Sequence, residues 1–195
     1  MKNITLTIVI LTILSTSGFG QKSKLKVGKK APGFEIEQLS GEKVSLEKLL
    51  TENGFVLVHF FVGSWLKYDT LHLKKLQTIY PNLSSKNTEV IAITREKPIY
   101  LNKLKSSIGI TYKIGLDPNM FAMGQYGVVS KITPHYVPLK HKEYNASNYK
   151  HTGSKDGMMP IPASYLINKE GKIVWMHFDP DYRQRPDINS ILEQL

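Results

Sequence analysis

The chain has 195 residues, 26 Lys and Arg against 16 Asp and Glu, a net charge of +10 and no cysteine. That length suits one folded core, and the lack of any thiol excludes disulfides, thiolate metal sites and every reaction that runs through a cysteine. The basic excess is spread along the chain instead of forming a stripe interleaved with aromatics, so it reads as a solvated surface and no nucleic acid is expected as a partner.

Lys2, the apolar run Ile4 to Leu14 and the small residues from Ser15 to Gly20 have the layout of an export signal, with cleavage expected near Gly20 or Gln21. The apolar run is about ten residues, half of what a bilayer span needs, so no transmembrane anchor is expected. The product is expected to be secreted or periplasmic. Residues 21–26 read as a loose, lysine-rich leader and residues 27–195 as the folded domain.

Val27 to Phe34 carries turn formers and runs into an extended stretch, Phe34 to Glu37, with strand alternation. Ser40-Gly41-Glu42 reads as a turn, and Val44 to Leu46 leads into a short helix through Leu50 that Gly54 ends. Phe55 to Val62, apolar and aromatic apart from His59, predicts a strand buried on both faces at the centre of a helix-covered sheet. Leu71, Leu73, Leu76, Ile79, Tyr80 and Leu83 then recur at roughly helical spacing, with Lys74 and Lys75 outward. A second buried strand is expected over Glu89 to Thr94. Pro98 fits the first turn of a helix carrying Ile99, Leu101, Leu104 and Ile108. This alternation predicts a right-handed βαβ unit.

Tyr112 to Leu116 reads as a short strand, and Asp117 as the cap of a helix from Asn119 to about Tyr126. Residues 129–159 break the pattern and read as a long surface excursion. Order returns at Pro160 to Asn168, where the turn Lys169-Glu170-Gly171 leads into Lys172 to His177 as a hairpin. Pro186 is expected to open a last helix bearing Ile188, Ile191, Leu192 and Leu195.

The order of these elements and several short strings resemble the alkyl hydroperoxide reductase and thiol-specific antioxidant (AhpC/TSA) group, the peroxiredoxin-like members of the thioredoxin superfamily. The strings are Val27-Gly28 with Ala31-Pro32 and Phe34, then Gly63 and Trp65, Asp117-Pro118 and Tyr126-Gly127-Val128. Pro160 with Pro162-Ala163 follows, and then Asp179-Pro180-Asp181-Tyr182 with Arg185. The resemblance implies an α/β, thioredoxin-like fold: a central mixed sheet flanked by helices, with the excursion preceding a strand that begins at a cis proline, Pro162. The group's motif runs Gly-x-Trp-Cys-Pro-Tyr/Phe-Cys. Gly63, Trp65 and Tyr68 are kept, but Leu66 stands at the first cysteine position, Lys67 at the proline and Asp69 at the second cysteine. In the group the first cysteine attacks as a thiolate favoured by the helix start behind it. Leucine has no lone pair to donate. Thiol peroxidase and disulfide oxidoreductase activity are therefore not carried over, and no catalytic residue and no cofactor is expected.

A binding surface remains. Trp65, Lys67 and Tyr68, with Pro162 opposite and the excursion beside them, are the candidate lining for a peptide, protein or small ligand. Leu66 is expected to pack beside Trp65, and Asp69 to be a first-turn carboxylate favoured by the helix dipole. The first-turn amides and Lys67 could attract an anion. By the resemblance, Pro162 leaves Ile161 able to pair with an extended peptide. The competing reading is an antioxidant or oxidoreductase acting through non-thiol chemistry, with His59, Asp69 or His72 as acid or base, or alongside a catalytic relative. Alternation puts His59 on one sheet face, but no spacing fixes a common point for those three. His135, His141 and His151, with Glu143 and Asp156, match no zinc spacing, so no metal is expected.

Overall fold

The computed structural model describes residues 23–133 and 140–195. The expected export signal, the first two residues of the leader and His135 lie outside the described residues. In chain order the elements are β1 (Glu35–Gln38), β2 (Lys43–Ser45), α1 (Leu46–Glu52), β3 (Phe55–Phe60), α2 (Lys67–Ser85), β4 (Thr88–Thr94), α3 (Pro98–Ile108) and β5 (Lys113–Leu116). There follow α4 (Phe121–Tyr126), β6 (Val129–Lys131), α5 (His141–Thr152), β7 (Met158–Pro160), β8 (Ala163–Asn168), β9 (Ile173–Phe178) and α6 (Asn189–Leu192). Seven strands form one mixed sheet in the order β2-β1-β5-β4-β3-β8-β9. Strands β3, β4 and β5 are parallel, while β1, β8 and β9 each run antiparallel to a neighbour. This is the helix-flanked α/β sheet that the sequence predicts.

Strand β3 lies between β4 and β8 and is buried from Val56 to Phe60. Its side chains alternate between two cores. Val56, Val58 and Phe60 join Leu46 and Leu49 of α1 and Met123 and Tyr126 of α4. Leu57 and the following Phe61 join Leu73 and Leu76 of α2 and Leu101 of α3. Each such side chain contributes about 1.5–3 kcal/mol on burial, so the end of β3 is a firm base for the segment that leads into α2. In that helix Leu73, Leu76, Ile79 and Leu83 face the core, while Leu71 is 58% exposed on the outer surface. Pro81 lies inside α2 and withholds the N–H that the Gln77 carbonyl would accept. Helix α1 starts at Ser45, whose Oγ accepts from the Lys48 amide at 3.1 Å.

Four local expectations are revised. The excursion is ordered where it is described: β6 pairs antiparallel with β7, and α5 lies between them. Among the described residues no peptide bond is cis, so the bond before Pro162 is trans, the form an X–Pro bond prefers by about 0.5–1 kcal/mol where packing does not dictate otherwise. The Ile161 N–H is spent on the Val128 carbonyl at 2.8 Å and Ile161 is fully buried, which closes the edge expected to pair with a peptide. Finally, α6 is a single short turn of helix, Asn189–Leu192, with Ile188 and not Pro186 at its start. The Asp187 carboxylate accepts from the Asn189 amide, and its carbonyl from Ser190.

Candidate functional site

The chain leaves β3 through Val62 and Gly63 and enters α2 after Leu66. A Cβ on Gly63 would sit 2.9 Å from Trp65 Nε1 and 3.2 Å from the Glu96 carboxyl carbon, so the close approach of those groups requires glycine. Glu96, buried just beyond β4, accepts from the Ser64 amide and the Ser64 hydroxyl, both at 2.7 Å. The same carboxylate meets His151 Nδ1 near the end of α5, and the His151 ring stacks on Tyr100 at 4.0 Å. One buried carboxylate thus ties the α2 entry to α5.

Leu66 occupies the cap position of α2 and supplies no side-chain acceptor to the helix amides. It is 3% exposed and packs with Val62, Ile132 and Met159, with Trp65 against the same cluster. Asp69, in the first turn, is fully buried. Its Oδ2 accepts from the Val62 amide at 2.8 Å and the Gly63 amide at 3.1 Å, and its Oδ1 pairs with Arg185. Burial pushes the Asp69 carboxyl above the usual range, while Arg185 and the two amides pull it back. Both expectations for these residues fit the geometry: Leu66 is packing, and Asp69 is a structural first-turn carboxylate.

Beside this helix start lies a cavity of about 400 Å³. Trp65 to Tyr68 form one side, Lys140 and Tyr144 the second, and Tyr182 the third. Its rings meet edge to face: Trp65 on Tyr144 at 5.3 Å and 88°, Tyr144 on Tyr182 at 5.5 Å and 74°, Tyr182 on Tyr68 at 6.1 Å and 78°. The Tyr144 and Tyr182 hydroxyls are 3.4 Å apart. Lys67 Nζ lies 5.1 Å from the centre of the Tyr68 ring. The structure brings Trp65, Lys67 and Tyr68 together on this cavity. Pro162 is buried and does not line this cavity.

The alternative acid–base candidates divide between two environments. Pairing across β3, β8 and β9 places His59, Ser164 and His177 in one row on the face that α2 covers, and the His72 ring lies 4.7 Å from that of His59. His59 Nδ1 meets Ser164 Oγ at 2.9 Å, while His59 Nε2 and His177 Nε2 are buried without a partner. Burial first, then His72, Arg185 and His177, hold His59 well below its ordinary value. Burial, with Arg185, His177 and Lys75, lowers His72 to about 3. Both are neutral imidazoles at pH 7. Asp69 is turned to Arg185 instead, so the trio does not converge on an open point. Asp156 is engaged with Arg95 and His151 with Glu96, and among the described residues no group of three His, Asp or Glu is placed to hold a metal ion.

Residues 27–176 match the AhpC/TSA family. The chain belongs to the AhpC/TSA family. Among sequence relatives of this AhpC/TSA protein, the thiol-disulfide oxidoreductase ResA of Bacillus thuringiensis (strain Al Hakam) is 26% identical over 176 residues, covering 86% of this chain and 83% of its own. Among solved structures, peroxidoxin BcpB from Mycobacterium tuberculosis superposes with a TM-score of 0.65 at 16% identity, covering 87% of this chain and 96% of that one. A putative protein disulfide isomerase from Bacteroides thetaiotaomicron gives 0.61 at 21%, covering 88% and 89%. At such identities the structural likeness establishes the thioredoxin-like fold. Both family cysteine positions are replaced in this AhpC/TSA chain, which has no thiol anywhere. Sequence reasoning missed Tyr144, Glu96 and His151 as neighbours of the helix start, and no pattern in the chain signals them. Tyr182 and Arg185 fall in strings that carry the resemblance, so their place near the motif was available even though their contacts were not.

Proposed function

We propose that this AhpC/TSA protein is exported through residues 1–20, folds over residues 27–195 and acts by binding a small ligand at the start of α2, thiol redox catalysis having been lost. The observation that carries this reading is what occupies the two cysteine positions. Leu66 is the apolar floor of a cavity large enough for a small molecule, and Asp69 is consumed by an ion pair and two amides behind it. Trp65, Lys67 and Tyr68 line the ligand's space. Strand addition by an extended peptide has less support, because the Ile161 amide is already bonded within the chain. The ResA relatives are thiol-disulfide oxidoreductases by name, but that chemistry needs a thiolate this chain lacks. Acid–base catalysis by His59 or His72 has less support too, since both imidazoles are buried.

The test is a hydroperoxide-consumption assay and an insulin-reduction assay on metal-stripped protein, run beside the Leu66→Cys/Asp69→Cys variant. The natural protein is expected to match buffer in both. Sustained turnover by the natural protein would overturn the proposal.

A further inference from the structure

We infer that the cavity beside α2 selects a small planar ligand carrying an anionic group, a carboxylate or sulfonate on an aromatic or conjugated frame; this deepens the binding reading above and rests on it. Three features of the cavity converge. Its walls are aromatic, with consecutive rings crossed at 74–88°, so a flat ligand meets ring faces and ring edges together, the arrangement aromatic pairs favour. Among the described residues its charges have one sign: Lys67 and Lys140 line it, no Asp or Glu does, and neither lysine is ion-paired. Tyrosine rings alone would suit an organic cation, and the two lysines reverse that preference. The third feature is the 19-residue helix α2, which begins at the cavity with leucine as its cap. The first-turn carboxylate, Asp69, is paired with Arg185 and does not line the cavity, so the positive end of the helix dipole adds to the lysines there.

The experiment uses three probes with one frame: naphthalene-2-sulfonate, 2-naphthylmethanol and trimethyl(2-naphthylmethyl)ammonium, titrated calorimetrically at low salt. The sulfonate is expected to bind at one saturable site, about tenfold or more tighter than the neutral alcohol, and the ammonium not to bind. Lys67→Met/Lys140→Met should remove that tenfold advantage, so that the sulfonate binds no tighter than the alcohol to the same variant. Tyr144→Ala should weaken both ligands, with circular dichroism confirming the fold of each variant. Ammonium binding as tight as the sulfonate, or sulfonate affinity indifferent to the lysine pair, overturns the inference. Sulfonate binding that survives both variants is adventitious surface binding and overturns it as well. If the alcohol binds and the sulfonate gains nothing, the anion preference falls while the binding proposal stands. If no probe binds, both fall.

Discussion

Mild acid should unfold this protein, because the sheet face under α2 buries two neutral histidines, His59 and His72, and half-buries a third, His177. His72 is lowered from 6.5 to about 3. At about 1.4 kcal/mol per unit, that side chain alone carries up to about 5 kcal/mol of pH-dependent stability. Below pH 6.5 the unfolded chain takes a proton on His72 that the folded chain refuses. The contribution is therefore complete above 6.5 and is lost as the pH falls towards 3. His59 and His177 are shifted in the same direction, in both cases chiefly by burial. Asp69 works the other way: its raised carboxyl lets the folded chain hold a proton more readily, which offsets part of the loss at the acid end. With His59 and His72 refusing protons, stability should fall by up to roughly 3 kcal/mol per pH unit below 6, against a usual total of about 5–15 kcal/mol. Urea unfolding followed by far-ultraviolet circular dichroism between pH 8 and 4.5 measures this slope directly. His72→Gln should reduce it by about one proton's worth, roughly 1.4 kcal/mol per unit. A stability flat to within about 0.5 kcal/mol from pH 7.5 to 5, or a slope untouched in His72→Gln, would refute the reasoning.

Arg185→Met leaves the buried Asp69 carboxylate without its cation and should cost about 3–5 kcal/mol in urea unfolding; Asp69→Leu added to it should recover most of that loss, and a single-variant cost under about 1 kcal/mol would count against the ion pair. Gly63→Ala drives a methyl group into Trp65 and Glu96 and should cost about 1–3 kcal/mol while shifting the Trp65 emission, read with Trp175→Phe as background. Glu96→Gln removes the charge that holds His151, so amide hydrogen exchange over residues 141–152 should speed up before exchange elsewhere; unchanged exchange there would mean that α5 is held by other contacts.

The architecture was legible where a single physical rule dominates. A continuous apolar run can only be a strand with both faces covered, and β3 and β4 are such runs. Helix α2 was legible from its spacing, although Leu71 belongs to the outer face and not to the buried stripe. Helix α5 was not legible, because it is polar on every side and only Asn148 is buried; such a helix is held by ties such as His151 to Glu96, which leave no periodic trace. The site divides the same way. Trp65, Lys67 and Tyr68 are neighbours in the chain, so the motif delivers them together. Tyr144 and Tyr182 reach the same cavity from segments far along the chain. The expected part for Pro162 came from the resemblance alone, and the trans bond and buried Ile161 amide remove it.

Residue 69 shows why the departure from thiol chemistry is built into the fold. A carboxylate placed at a fully buried cysteine position would be costly by itself, yet Asp69 has Arg185 from a segment 116 residues away and two main-chain amides. Arg185 has in turn the carbonyls of Tyr182 and Gln184, at 2.8 and 2.6 Å. Returning Asp69 to cysteine would therefore strand a guanidinium that is only 10% exposed beside three histidines, and returning Leu66 alone would restore one sulfur with no second sulfur to resolve it. The segment bearing Tyr182, one wall of the cavity, is positioned by the same arginine. The interaction that holds Asp69 thus also shapes the proposed binding surface, because one guanidinium serves both Asp69 and the Tyr182 carbonyl.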